Sequence, residues 1–152
     1  QAGLTKRYFY ESFATIDELA VAVFDQVTGR LAEQIAPAIV AGGGRDPRPA
    51  LTAHANALLG DPRVVRLLAV EGRTSALAGR RAGFARRAVE LWFASTIADD
   101  QVVDPLLRLR AYAFAGAIAE VGLASVEGEL DLTGEEIIDE LVGLFHRIAD
   151  DQ

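Results

Sequence analysis

From Thr15 onward, apolar residues return every third or fourth position, and no run of alternating β-branched residues interrupts them. That spacing suits helices and leaves no sheet to build, so the chain is expected to be all-α. The helix starts are marked by caps. Thr15-Ile16-Asp17-Glu18 reads as a capping box. It predicts a helix from Ile16 to about Ile39, with an apolar stripe of Leu19, Val23, Val27, Leu31 and Ile35. Pro37 is expected to kink or fray its last turn. The stretch Ala41–Pro49 holds three glycines and two prolines, which predicts a mobile connection. A short helix follows from about Ala50 to Leu59. Asp61-Pro62 and Asp104-Pro105 each place an acceptor at the N-cap and a proline at the first helical position. They predict a helix ending near Gly72 and another running from Pro105 to about Val126. Between them, Thr74 to Ile97 reads as one long helix. Thr133, followed by Glu135 and Glu136, caps the last. Its apolar arc comprises Ile137, Ile138, Leu141, Val142, Leu144, Phe145 and Ile148. The helix after Pro105 is apolar nearly all round, so it is expected to be buried on most sides. Its small residues, Gly116 among them, would admit close neighbours.

The 152 residues are one domain, or one domain and a fragment, and 51% of them are hydrophobic, enough for a core. Cysteine is absent, which excludes disulfides, thiolate metal sites and a cysteine nucleophile. Methionine is absent too, and Gln1 comes first, so further residues are expected upstream. The net charge is −7, divided unevenly: Lys6 and Arg7 against Glu11 give residues 1–16 a charge of +1, leaving −8 on the rest. A polyanion is therefore expected to meet the N-terminal end. The apolar run Ala111–Ala119 has nine residues, too short to span a bilayer, and no secretory signal is visible. A cytoplasmic protein without a membrane partner is expected.

The stretch from Gly3 to Leu19, "GLTKRYFYESFATIDEL", combines aromatic and basic residues just ahead of the capping box. Phe9 and Phe13 lie four apart, so on a short helix from Lys6 they share the face that anchors it. Lys6, Arg7, Tyr8, Glu11 and Ser12 are left outside, with Tyr10 at the edge. This layout suits entry into a major groove. The stretch resembles the second half of the DNA-binding motif of TetR-type transcriptional regulators. Gly3, Leu4, Thr5, Phe9, Tyr10, Phe13, Thr15, Glu18 and Leu19 follow that pattern in order, nine positions within seventeen residues. The remainder is similar only in architecture. The resemblance implies residues 1–40 as the end of a helix-turn-helix domain with its linking helix. It implies residues 41–152 as a helical ligand-binding and dimerisation domain. It also implies a homodimer on a double-stranded DNA operator, with recognition helices roughly 34–36 Å apart. Lys6, Arg7, Tyr8 and Glu11 would face base edges, and Thr5, Tyr10 and Ser12 would hold phosphates. Ile16 departs from the pattern, standing where the family often has a phosphate-contacting lysine.

A small-molecule effector, amphipathic in character, is expected beside Arg81, Phe84, Ala88 and Trp92, with Tyr112 on the next helix. The other reading of Arg81 is a side chain that snorkels to the surface, and Trp92 and Tyr112 also suit a core. His54 and His146 lack metal-ligand spacing and read as structural, though His54 with Asn56 could supply polar groups to a pocket mouth. Asp99, Asp100 and Asp104 mimic an aspartate-rich magnesium motif, but they fall in an inter-helix loop. No catalytic residues, metal or cofactor are therefore expected. Arg80, Arg81, Arg86 and Arg87 are spread around their helix, with Arg86 expected to pair with Glu90. The sequence favours a DNA-binding repressor released by a ligand, not an enzyme. The alternative is a helical small-molecule sensor without DNA function, separable from the first by gel shift.

Overall fold

A computed structural model describes residues 13–73, 76–96 and 102–149. The DNA-contact candidates Thr5, Lys6, Arg7, Tyr8, Tyr10, Glu11 and Ser12 lie outside them. The described residues are helical with no strand. Helix α1 spans Ile16–Ala41, α2 Arg48–Leu59 and α3 Pro62–Ala69. A 3-10 turn, Glu71–Arg73, precedes α4, Ala78–Thr96. Helices α5, Pro105–Glu127, and α6, Gly134–Ala149, complete the chain.

The caps form where the sequence places them. Thr15 Oγ1 accepts from the Glu18 amide at 3.1 Å, and the Glu18 carboxylate accepts from the Ala14 amide at 2.7 Å. Asp61 and Asp104 accept from the amides two residues on, each at 3.0 Å. Asp104 therefore serves as a cap; Asp99 and Asp100 lie outside the described residues. Thr133 and Glu136 close a second capping box, with the Glu136 carboxylate accepting from the Thr133 amide at 2.7 Å. At the end of α5, Gly128 takes φ +75, and the amides of Gly128 and Glu129 donate to Ser125 and Ala124, a Schellman closure.

The boundaries differ from expectation in four places, one of them α4, which starts at Ala78 and not at Thr74, because residues 76 and 77 form a turn. Pro37 leaves α1 intact to Ala41, because an exposed site tolerates the lost hydrogen bond. Helix α2 starts two residues early, at Arg48, since prolines fit a first turn whose amides need no partner. Helix α3 ends at Ala69, short of Gly72. The glycine-rich segment is a compact turn, not a loose connection. The Arg45 and Asp46 amides both donate to Gly42 O at 3.1 Å, and Gly43 and Gly44 adopt positive φ.

Helix α1 packs on α2 and α4, α3 on α5, and α6 on α2 and α5. The core gathers Phe24 and Leu31 from α1, Leu51 and Leu58 from α2, Val65 from α3, Leu77, Val89 and Phe93 from the α4 segment, and Leu141 and Phe145 from α6. On α1 the buried stripe runs through Phe24, Thr28 and Leu31; Val23, expected inside, is 40% exposed. Thr28 is accommodated because its hydroxyl donates to Phe24 O at 2.9 Å. Trp92, Phe93, Phe114 and Phe145 form an aromatic cluster, with Phe145 edge-on to Trp92 at 5.8 Å.

Within the single chain, helix α5 is not buried on most sides. None of its residues is buried, and Leu106 and Leu109 are 59% and 64% exposed. It meets neighbours along one side, where a Cβ on Gly122 would meet Leu58 at 3.2 Å, while a Cβ on Gly116 would meet nothing. By length and composition, α5 is also apolar enough to cross a membrane, although its nine-residue apolar run alone is not.

Candidate functional site

Between the helices lies a cavity of about 330 Å³. Its existence follows from residue size. Ala32 and Ala36 on α1, Ala85 and Ala88 on α4, and Ala111 and Ala115 on α5 all line it. Larger side chains at those positions would fill the space. Ile35 and Ile39 from α1, Phe84 and Trp92 from α4, and Phe114 and Ile118 from α5 complete most of the apolar wall. Helix α2 contributes Ala50, Leu51, His54 and Leu58, and α6 contributes Phe145 and Ile148.

Few polar groups reach this wall. Trp92 donates its indole N–H to Gly44 O at 3.1 Å, which ties the glycine turn to the lining. Gly44 sits at φ +68, so the carbonyl is presented by a conformation that glycine adopts readily. Asp46 lines the cavity beside the turn, and its carboxylate accepts from the Arg48 amide at 3.0 Å. Arg81 and Arg87 line the cavity from α4. The Arg81 stem runs over Gly72, where an added Cβ would meet Arg81 Cδ at 3.1 Å. Gly72 is buried, so the absent methyl makes the passage for that stem.

His54 borders this cavity and a second, smaller one of about 50 Å³ between α2, α5 and α6. No hydrogen bond from a described residue reaches its imidazole. Burial lowers its pKa from 6.5 to about 4, so it is neutral at pH 7.

Of the residues expected at a ligand site, Arg81, Phe84, Ala88 and Trp92 are brought together, and Arg81 combines a packed stem with a place in the wall. Tyr112, on α5, is not among the lining residues. Its neighbours Ala111 and Phe114 face the cavity instead. His54 is a lining residue, whereas Asn56 is exposed and outside the wall. From α1, Ile35 belongs to the expected apolar stripe, whereas Ala32, Ala36 and Ile39 join it in the wall at an i, i+3, i+4, i+7 spacing that the sequence shows. Glu90 pairs with Arg108 on α5, not with Arg86, because the facing helix offers a guanidinium across the helix contact. Arg108 also stacks over Phe93 at 5.2 Å, and Arg80 pairs with Asp25 on α1.

Comparison with protein-family models, with curated proteins and with solved structures gave no match to this chain.

Proposed function

We propose that this chain belongs to a ligand-responsive, DNA-binding transcriptional regulator of TetR type, acting as a repressor and working as a homodimer. The observation that carries this reading is the course of α1. It starts at the Thr15 cap, directly after the aromatic and basic stretch, and its last turns wall the cavity through Ala32, Ile35, Ala36 and Ile39. One continuous helix therefore joins the candidate recognition segment to the candidate effector site. A ligand that fits one packing of α1 better than another shifts the population towards it, and the recognition segments then no longer match their half-sites. The exposed apolar side of α5 supports a second copy as its cover.

The cavity alone would equally serve a helical sensor without DNA function. What favours the regulator is the excess positive charge at the N-terminal end of an otherwise acidic chain. A gel-shift titration of the intact protein on the DNA upstream of its own coding region tests this. Affinity should fall steeply with salt, and Arg7→Ala should both weaken binding and relax base preference, by roughly 1–3 kcal/mol. Salt-independent binding, or an Arg7→Ala protein that binds like the wild type, would remove the assignment of the recognition helix.

A further inference from the structure

We propose that the cavity takes a single-chain amphiphile with an anionic headgroup, its chain along the alanine-lined wall and its headgroup on the Arg81 guanidinium. This names the ligand class for the effector site proposed above and rests on that reading of the cavity.

Charge distribution supports it first. The protein is strongly acidic, with a net charge of −7, yet the cavity wall carries two arginines, Arg81 and Arg87, against one aspartate, Asp46. The Asp46 carboxylate is already engaged by the Arg48 amide. Pairing supports it next. No described residue gives a carboxylate partner to Arg81 or Arg87; the same holds for Arg30, Arg45, Arg86 and Arg147, but of these six only Arg81 and Arg87 line the cavity. A guanidinium at the edge of an apolar cavity, with no counter-charge among the described residues, is matched by a carboxylate or another oxyanion. Placement completes the case. Arg87 is exposed, while Arg81 is half-buried with its stem over buried Gly72, so Arg81 is the better-fixed cation. His54 on another wall is neutral at pH 7 and offers no competing charge. The rest of the lining is apolar, which suits an alkyl chain and gives a second charge or a sugar few partners.

Trp92 is the single tryptophan of the chain and part of the wall, so its emission reports entry directly. The intact protein is titrated below micellar concentrations, at neutral pH, with decanoate, decyl sulfate, decanol and decylammonium. The anions should shift Trp92 emission and bind at least tenfold more tightly than decanol or decylammonium. Preference for decanoate identifies a carboxylate ligand, and preference for decyl sulfate a tetrahedral headgroup; either supports the proposal. Arg81→Gln, which keeps much of the stem, should bring the anions to the level of decanol and leave decanol unchanged. Arg81→Lys should retain the preference for anions. Decanol binding as tightly as the anions would overturn the proposal. So would an undiminished anion preference in Arg81→Gln, or no response of Trp92 to any probe. Because the readout is the cavity itself, it stands or falls separately from the gel shift, which reads the DNA.

Discussion

The imidazole of His54 touches two cavities and gains no hydrogen bond from the described residues, so desolvation alone sets its proton affinity. Well above pH 6.5 it is neutral in both folded and unfolded chains and contributes no pH dependence. As pH falls from 6.5 towards 4, the unfolded chain binds a proton that the folded chain refuses. Stability therefore declines with acid across that window, by at most about 3 kcal/mol. His54→Gln should flatten the decline, measured as the difference in urea midpoint between about pH 7 and about pH 5. An unchanged decline would show that other groups cause it. Asp61 and Glu136, held below the usual carboxylate range by hydrogen bonds to Arg63 and to Thr133, lose their stabilisation only at still lower pH. The sequence shows a histidine among alanines and leucines, but not its desolvation, which depends on four other helices closing around it.

Within an element, what the sequence makes legible is local chemistry. Thr15, Asp61, Asp104 and Thr133 cap their helices because each acceptor is two or three residues from the amide it serves. Tertiary choices were less legible. On α1 the stripe could be centred on Val23 and Val27 or on Phe24 and Thr28, and only the packing of α2 and α4 against it decides. Val89 and Phe93 on α4 are core for the same reason, selected by the helices packed against them. The glycine-rich segment is visible in the sequence as a break that suggests freedom, where the glycines in fact allow close approach. A Cβ at Gly42 would lie 2.2 Å from Asp46 O, a backbone atom that cannot swing aside. Gly42→Ala should therefore open the turn and lower the urea midpoint, at a cost of roughly 1–3 kcal/mol. At Gly43, which has φ +54 and nothing within 4 Å of an added Cβ, alanine should lose only about 1 kcal/mol, from backbone strain. Equal losses at the two positions would contradict a steric role for Gly42.

For the whole molecule, the buried core draws on five of the helices and takes nothing from α5. A near-uniformly apolar helix is expected to be buried on most sides, but periodicity cannot tell burial by the same chain from burial by another. If a second copy covers it, the intact protein sediments as a dimer. Leu109→Glu, on a side chain 64% exposed, should then raise the dimer dissociation constant at least tenfold without disturbing helix content. A wild-type monomer at every concentration would dismiss this interface. The 26 residues of α1 form a rod of roughly 39 Å, with Ala32 about 25 Å along the axis from the Thr15 cap. Treated as a stiff lever, a tilt of about 5° at the cavity end carries the capped end about 2 Å sideways, most of a hydrogen-bond length. Two such levers related by a two-fold axis would change their tip separation by about 4 Å, so very small ligand-driven displacements are amplified before they reach anything outside the bundle.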